Sequence, residues 1–271
     1  MGGTVLKKFS FCILIASIGF VVSGCSSTTN KGKVDSKRHQ VASATQVIKS
    51  KNEESILVSL KNKSNGKIRY SPMGDSLSQG LFAKNRRSDF VNRFTYRLEK
   101  NTGKKVLVSG AYSVGKTATN FGVPSISQVI KQKPDLVTIE FGTNDAVGGT
   151  SQMALSQYRS SIVKIITELK SHTHAQLILM SAWCGPTRQQ LANNEVKFDQ
   201  VIQKIGTEYK IPVANLRNIW AKKNNVTGPA GRTYPDFASW GQSDNFHPNQ
   251  LGHRMIADEL FKVVNESPVQ K

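Results

Sequence analysis

Short apolar runs alternate with longer segments of helical periodicity along most of this chain. The short runs predict buried strands near residues 67–73, 104–109, 135–141, 176–182 and 211–215. The longer segments have apolar residues every three or four positions and predict helices near residues 88–101, 125–132, 153–171, 189–209 and 249–264. This alternation predicts an α/β fold in which a parallel sheet is covered by helices on both faces.

The segment at 74–80 (GDSLSQG) follows the first predicted strand. Gly74 permits a tight turn there, so Ser76 is expected at the carboxyl end of the strand, where α/β sheets place their sites. A serine hydroxyl becomes a good nucleophile only when a base takes its proton. Gly, Asp and Ser are also ordinary turn residues, so this segment alone leaves a plain turn open.

The candidate base is His247, in the segment at 244–249 (DNFHPN). Asp244 lies three residues earlier, close enough for its carboxylate to hold the imidazole in one tautomer. Pro248 and Asn249 are expected to open the last helix, with the proline in its first turn. An isolated Asp-x-x-His pattern is more often a surface loop. The remaining histidines lack a comparable setting: His39, His172, His174 and His253.

Two further segments offer hydrogen-bond donors to the oxyanion that develops in acyl transfer. Each such donor lowers the barrier by about 3 to 4 kcal/mol. Asn144 offers a side-chain amide and follows the clearest strand signal, at 135–141. Gly115 offers a backbone N–H that a substrate can approach closely. Asn144 and Asp145 could instead be only helix-cap or turn residues. Gly115 could instead be only a glycine at the start of a helix.

Taken in order, these four segments resemble the SGNH (or GDSL) hydrolase family, which is named for its Ser, Gly, Asn and His. The resemblance covers roughly residues 67 to 271. It implies a flavodoxin-like three-layer α/β/α sandwich with a five-stranded parallel sheet, and an acyl-enzyme mechanism without metal or cofactor. The implied site residues are the triad Ser76, His247 and Asp244 and the oxyanion-hole donors Ser76, Gly115 and Asn144.

The second segment, at 113–117 (SVGKT), departs from the usual sequence motif of that family. Val114 stands directly before the glycine, where the family often has a serine. We assign the oxyanion glycine to Gly115 because Thr117 follows at the spacing of the family. Gly110 remains the alternative.

Residues 110–117 (GAYSVGKT) also match the P-loop of nucleotide-binding proteins and follow a strand-like run. A P-loop leads directly into a helix whose N-terminus faces the phosphates. Residues 118–124 (ATNFGVP) are a poor helix start, and the P-loop interpretation leaves the other three segments unexplained. A nucleotide-binding protein is therefore only a remote alternative.

The first residues have the features of an export signal. Lys7 and Lys8 precede a 14-residue apolar stretch, Phe9 to Val22, which is short for a membrane span of about 20 residues. Residues 22–25 (VSGC), at the end of this stretch, resemble the bacterial lipobox. This resemblance implies removal of residues 1–24 and acylation of Cys25. A non-lipidated signal or an uncleaved anchor remains open. Two or more acyl chains would hold the protein stably on the membrane.

Residues 25–66 are expected to be a lipidated tether, because residues 26–50 are rich in Ser, Thr, Lys and Asn. A helix packed on the domain or a short strand remains open for residues 42–60. The hydrolase domain is expected at 67–271, with Cys184 as its one cysteine. We expect this cysteine to be a buried packing residue.

Residues 222–243 show little periodicity and are expected to form a wall or lid over the site. Trp240 lies in this segment, and Trp183 follows the fourth predicted strand. Trp240 could bind an acyl chain or stack on a sugar ring, and packing under the loop is an equal alternative. Trp183 is expected to lie near the same rim of the sheet.

The chain is strongly cationic, with 37 Lys and Arg against 18 Asp and Glu, a net charge of +19. Removal of residues 1–24 leaves +17. Such a surface favours anionic surroundings, such as phospholipid headgroups or anionic envelope polymers. The basic residues are spread along the chain rather than clustered, which argues against a nucleic-acid partner.

The sequence therefore predicts a serine esterase or lipase, a monomer that is lipid-anchored on the extracytoplasmic face of a bacterial membrane. Its expected substrates are lipid acyl esters or O-acetyl groups of envelope glycans. A non-catalytic envelope-binding lipoprotein with the same fold is the alternative. The intact set of Ser76, Asp244 and His247 argues against that alternative, because loss of function usually leaves a gap in such a set.

Overall fold

Six parallel strands form one sheet in the computed structural model, which describes residues 53–184, 188–223, 225–228 and 245–271. The strands are β1 (Lys67–Gly74), β2 (Lys105–Val108), β3 (Ala111–Tyr112), β4 (Leu136–Glu140), β5 (Gln176–Met180) and β6 (Val213–Ala214). Their order is β2–β1–β4–β5–β6, and β3 pairs with β1 on the same edge as β2. The signal segment, Cys25, Asp244 and most of the predicted lid lie outside the described residues.

The second predicted strand, at 104–109, is divided into β2 and β3. Gly110 lies between them, and a Cβ at this position would be 2.2 Å from the carbonyl oxygen of Pro72. Only a glycine lets the chain pass so close to β1. If β2 and β3 count as one strand, the order is that of the flavodoxin-like fold, which places ligands at the carboxyl edge beside β1. The fold class is confirmed, and the division of one strand corrects the expected number from five to six.

Helices cover both faces of this sheet. Within the described residues they are α1 (Ile56–Asn62), α2 (Ser76–Gln79), α3 (Phe90–Thr102), α4 (Ile126–Lys131), α5 (Gln152–His172), α6 (Gln189–Tyr209), α7 (Arg217–Trp220) and α8 (Gln250–Glu266). Single helical turns are formed by Arg86–Ser88, Ala118–Gly122 and Asp145–Gly148. None of these helices has the length and apolar character needed to cross a bilayer.

The period-2 alternation of the central strands divides the core into two layers. Ile178 and Met180 of β5 pack with α1, α3, α7 and α8 on one face. Leu177 and Leu179 of the same strand pack with α4, α5 and α6 on the other face. Both faces of the sheet are therefore buried, as the continuous apolar runs of the sequence predict.

The helix α1 belongs to the folded domain, which therefore begins before the expected start at residue 67. Ile56 and Leu60 are buried in the core with α3 and α8. Ser55 caps the helix by accepting from the N–H of Val58, and it also bridges to Pro268 near the C-terminus. Of the two structures left open for residues 42–60, the described part forms the helix.

The last helix begins slightly later than expected. Asn249 caps α8 by accepting from the N–H groups of Leu251 and Gly252. Pro248 therefore precedes the cap instead of occupying the first turn, and it forms an isolated bridge with Thr227. This bridge fixes the loop that carries His247.

Candidate active site

Ser76 and His247 meet at the carboxyl edge of the sheet. The Oγ atom of Ser76 lies 2.9 Å from Nε2 of His247, within hydrogen-bond distance. Ser76 opens the short helix α2 directly after β1, where the Asp75 side chain caps the helix by accepting from the N–H of Leu77. Gly80 ends α2 with a φ of 83°. A strand, a tight turn and one helical turn therefore present the hydroxyl to the histidine.

The imidazole of His247 lies between two aromatic rings. The ring of Phe82 is centred 5.3 Å away and the ring of Phe246 is 5.0 Å away. The indole Nε1 of Trp183 donates to the carbonyl oxygen of Phe246. Trp183 is fully buried and packs beneath the histidine loop. Trp240 lies outside the described residues.

The Asn144 side chain joins the turn around Ser76 to the loop that carries Gly115. Its Nδ2 atom donates to Oδ2 of Asp75 at 2.7 Å and to the carbonyl oxygen of Lys116 at 3.2 Å. An amide group has two N–H donors, and both are engaged here. An oxyanion would therefore have to displace or share one of these two acceptors.

Of the two candidate glycines, Gly115 lies on the carboxyl side of β3 and Gly110 on the amino side. Gly115 is exposed with a φ of 74°, and the space where a Cβ would stand is open. Gly110 is instead packed against Pro72. The position of Gly115 beside the end of β1 is the one expected of a donor to a substrate at Ser76.

Two N–H groups of the loop between β3 and Thr117 are bonded within the protein. Ser113 donates to the carbonyl oxygen of Gly74, and Val114 donates to Oε1 of Gln79. A P-loop instead keeps such groups for phosphates. The segment that follows is one helical turn, Ala118–Gly122, and not a long helix aimed at a ligand. The loop geometry therefore does not favour the nucleotide-binding alternative.

The carboxyl of Asp145 ties two loops of the site together. It accepts from the N–H of Gly142 at 3.1 Å and from the N–H of Ala118 at 3.2 Å. Burial raises the pKa of Asp145 to about 6. A helix cap and a turn were the two alternatives for Asp145, and these contacts are those of a turn residue.

Two acidic side chains lie fully buried beneath Ser76. One is Asp75, whose pKa burial raises to about 6, although the nearby His247 lowers it. The other is Glu140, whose pKa is well above the ordinary value because of burial and of the neighbouring Asp75. Glu140 is not among the residues predicted from the sequence. Its signal was a charged residue inside the apolar run at 135–141.

Two clefts lie on either side of the turn Asp145–Gly148. One has a volume of about 420 Å³ and is lined by Val147, Arg188, Gln190, Leu191 and Asn194. The Arg188 guanidinium lies over the Phe246 ring at 4.8 Å, so this cleft adjoins the histidine loop. The other cleft is about 310 Å³, and most of its lining is polar, including Thr117, Thr119, Asn120, Asn144 and Gln157.

The remaining residues singled out from the sequence lie as follows. Cys184 is buried and makes no disulfide, in agreement with the expected packing role. His253 is fully buried on α8, where the N–H of Phe90 donates to its Nδ1 atom. His172 and His174 lie at the end of α5 and after it. None of these three histidines shares the setting of His247 beside Ser76.

The chain is similar to known proteins in sequence and in fold. The model of the GDSL-like lipase/acylhydrolase family matches residues 73–255. No curated protein matches the chain closely enough to be counted as a relative. Several solved structures share the fold, and three of them are an esterase, an acetyl xylan esterase and a lipase.

The first is the psychrotrophic esterase EstA from a Pseudoalteromonas species, with 17% identity, a TM-score of 0.55, and coverage of 74% of this chain and 97% of that one. The second is the acetyl xylan esterase AlAXEase, with 17% identity, a TM-score of 0.56, and coverage of 73% and 100%. The third is the lipase Lip_vut3 from a goat rumen metagenome, with 15% identity, a TM-score of 0.59, and coverage of 72% and 97%.

Identities this low establish a common fold alone. The family match is stronger evidence, because it spans more than half of the chain and includes the segments of Ser76, Asn144 and His247. The structure brings the side chains of these three segments to one edge of the sheet. The chain therefore belongs to the GDSL-like lipase/acylhydrolase family.

Proposed function

We propose that this protein is a serine esterase with Ser76 as the nucleophile and His247 as the general base. The observation that carries the proposal is the 2.9 Å distance between Ser76 Oγ and His247 Nε2. The Nε2 atom can accept the hydroxyl proton only when the ring proton is on Nδ1. In the proposed triad, Asp244 accepts a hydrogen bond from Nδ1–H and so favours that tautomer.

The proposed reaction has two halves. Ser76 Oγ attacks the ester carbonyl carbon while His247 takes the hydroxyl proton, and the imidazolium then returns a proton to the leaving alcohol. Water attacks the acyl-enzyme with the same histidine as base, which releases the acid and restores Ser76. Each half passes through a tetrahedral oxyanion, which needs fixed donors at the carbonyl oxygen.

We assign these donors to the N–H groups of Ser76 and Gly115 and to the amide of Asn144. Support comes from the bond of Asn144 to Asp75, which holds the amide next to the nucleophile turn at 2.7 Å. Gly115 adds an exposed backbone with no side chain in the way. An incoming oxyanion would compete with the carbonyl of Lys116 for one N–H of Asn144.

The two clefts suggest where the two halves of an ester would lie. Val147 and Leu191 give the larger cleft an apolar side that suits an acyl chain. The smaller cleft has hydroxyl and amide groups that suit a polar alcohol, such as a sugar. The substrate class is therefore proposed as an acyl ester of the envelope, either a lipid ester or an O-acetylated glycan.

A panel of p-nitrophenyl esters from acetate to palmitate tests this proposal, with the full chain in detergent and Ser76→Ala as the matched variant. We expect hydrolysis that Ser76→Ala abolishes while its circular dichroism is unchanged. A preference for acetate would point to O-acetyl groups, and a preference for long chains would point to lipids. Equal activity in both proteins would contradict the role of Ser76.

We further propose that the mature protein is anchored by acyl chains on Cys25 at the extracytoplasmic face of a bacterial membrane. The basis is the resemblance of the first residues to a lipoprotein signal. In bacterial cells, Cys25→Ser should move the protein out of the detergent phase on phase partitioning. Unchanged partitioning would indicate an uncleaved anchor or another form of attachment.

A further inference from the structure

Glu140 lies directly beneath the turn that carries Ser76. Its Oε2 atom accepts from the N–H of Asp75 at 3.1 Å and from the hydroxyl of Ser78 at 2.9 Å. These two residues flank Ser76 on either side in the sequence. A single oxygen of Glu140 therefore holds both sides of the nucleophile turn.

The space around this contact is filled. A Cβ at Gly74 would lie 2.2 Å from Ser78 Oγ and 2.5 Å from Glu140 Oε2. Any side chain at Gly74 would push the two hydrogen-bonded groups apart. The last residue of β1 must be a glycine because of this contact, and not only because a turn follows.

Glu140 is placed in surroundings that disfavour a charge. It is fully buried, and its Oε1 atom has no hydrogen-bond partner in the part of the chain that the structure describes. Within the described residues, the titratable groups that act on Glu140 or respond to it are Asp75, Tyr70 and Tyr158, all of them buried and none a cation. An ionised carboxylate with one unpaired oxygen would be strongly destabilised there.

Of the two neighbouring carboxyls, Asp75 is the better placed to hold the charge. It accepts from the N–H of Leu77 and from the amide of Asn144, and His247 lowers its pKa. Two carboxyl groups this close do not both ionise easily. The proton is therefore expected on Glu140 and the negative charge on Asp75.

We propose that Glu140 is a positioning residue for ester hydrolysis: as a neutral acid it clamps the turn around Ser76 and leaves Asp75 as the carboxylate that orients Asn144. The inference rests on the proposed function of Ser76. Glu140 does not touch the substrate in this account. It acts through the geometry of the nucleophile and of one oxyanion donor.

Three variants of the full chain test the inference. Glu140→Gln keeps a neutral side chain with an oxygen that can accept both bonds. Glu140→Leu keeps a similar volume and removes the acceptor. Ser78→Ala removes one of the two donors and leaves the bond to Asp75. The readouts are kcat and KM on the best ester, the pH profile of kcat/KM, and the rate at which a fluorophosphonate labels Ser76.

We expect Glu140→Gln to keep kcat within about threefold of the wild-type value, because no charge is lost. For the same reason, the acid limb of its kcat/KM profile should lie at the wild-type pH. We expect Glu140→Leu to lower kcat and the labelling rate by about 100-fold at nearly constant KM, the scale of a small misplacement of reacting groups. Ser78→Ala should fall between these two variants. Wild-type kcat in a folded Glu140→Leu would overturn the inference.

Two other outcomes would also overturn it. If Glu140→Gln loses as much activity as Glu140→Leu, or if its acid limb moves by a unit or more, Glu140 acts as an ionised carboxylate.

If Glu140→Leu does not fold, the decision rests on Glu140→Gln and Ser78→Ala. Absence of labelling in the wild-type chain would contradict the nucleophile itself, and so separates failure of the proposed function from failure of the role of Glu140.

Discussion

Ser76 Oγ and His247 Nε2 are 171 positions apart in the sequence and 2.9 Å apart in the structure. The serine is placed by the first strand and the histidine by the loop before the last helix. Such a pair has the geometry that proton transfer requires, with heavy atoms within about 2.6–3.2 Å.

Replacement of Asn144 should affect chemistry more than binding. We expect Asn144→Ala to lower kcat by about 100- to 1000-fold with little change in KM, the usual cost of one oxyanion donor. Asn144→Asp should be at least as damaging, because its carboxylate would face Asp75 at the present 2.7 Å contact. Steady-state kinetics on one ester provide the measurement. A large rise in KM at constant kcat would mean that Asn144 binds substrate and does not stabilise the oxyanion.

Gly74 and Gly148 provide a matched pair of glycine substitutions. Gly74→Ala should destabilise the protein and sharply reduce kcat, because its Cβ would lie 2.2 Å from Ser78 Oγ. Gly148→Ala should be close to neutral, because no atom lies within 4 Å of its Cβ position. Thermal unfolding and kinetics of both variants test this. Equal effects at the two positions would contradict the close packing beneath the nucleophile turn.

The stability of the protein should fall as the pH rises from 7.5 to 9.5. Burial, together with the nearby Asp199, raises the pKa of Glu195 from the ordinary 4.5 to about 10. Between these values the folded protein keeps a proton that the unfolded chain has lost, so rising pH favours unfolding. The pKa of Asp199 is about 7, and His253 stays neutral because its pKa is lowered to about 3.

Glu195→Gln is the control for this pH dependence. Between pH 7.5 and 9.5, Asp199 and His253 have largely completed their titrations, whereas Glu195 still holds its proton in the folded protein. Burial also raises the pKa of Glu140, but Glu195→Gln leaves that contribution in place, so the variant isolates the share of Glu195. Urea unfolding across this range should give a smaller decline for Glu195→Gln than for the wild type. Parallel declines in the two proteins would show that Glu195 is already ionised at neutral pH.

The sequence was sufficient to predict the sheet, and the edge of it at which Ser76 and Asn144 lie, for a clear physical reason. Ser76 and Asn144 each follow an apolar strand, and the carboxyl ends of parallel strands share one edge. Gly115 and Gly110 could not be separated in this way. The distinction depends on where the chain passes β1, and the close approach of Gly110 to Pro72 supports Gly115 as the proposed donor.

Other features depend on tertiary contacts that leave little trace in the sequence. The seven residues of α1 are too few to predict a helix by periodicity, and their position depends on docking against α3 and α8. Glu195 and Asp199 stand at helical spacing on α6 and would be expected on a solvated face, yet both are buried. The contact of Glu140 with the nucleophile turn depends on strand register, which fixes where its side chain lies.

Covalent labelling of Ser76 tests the central claim most directly. The full chain is treated with a fluorophosphonate at pH 8, and the adduct is located by mass spectrometry after proteolysis. We predict one adduct, on Ser76, that is absent in Ser76→Ala and forms at least about 100-fold more slowly in His247→Ala, since the base activates the hydroxyl. Labelling of another residue, or an unchanged rate in His247→Ala, would contradict the assignment of this pair as nucleophile and base.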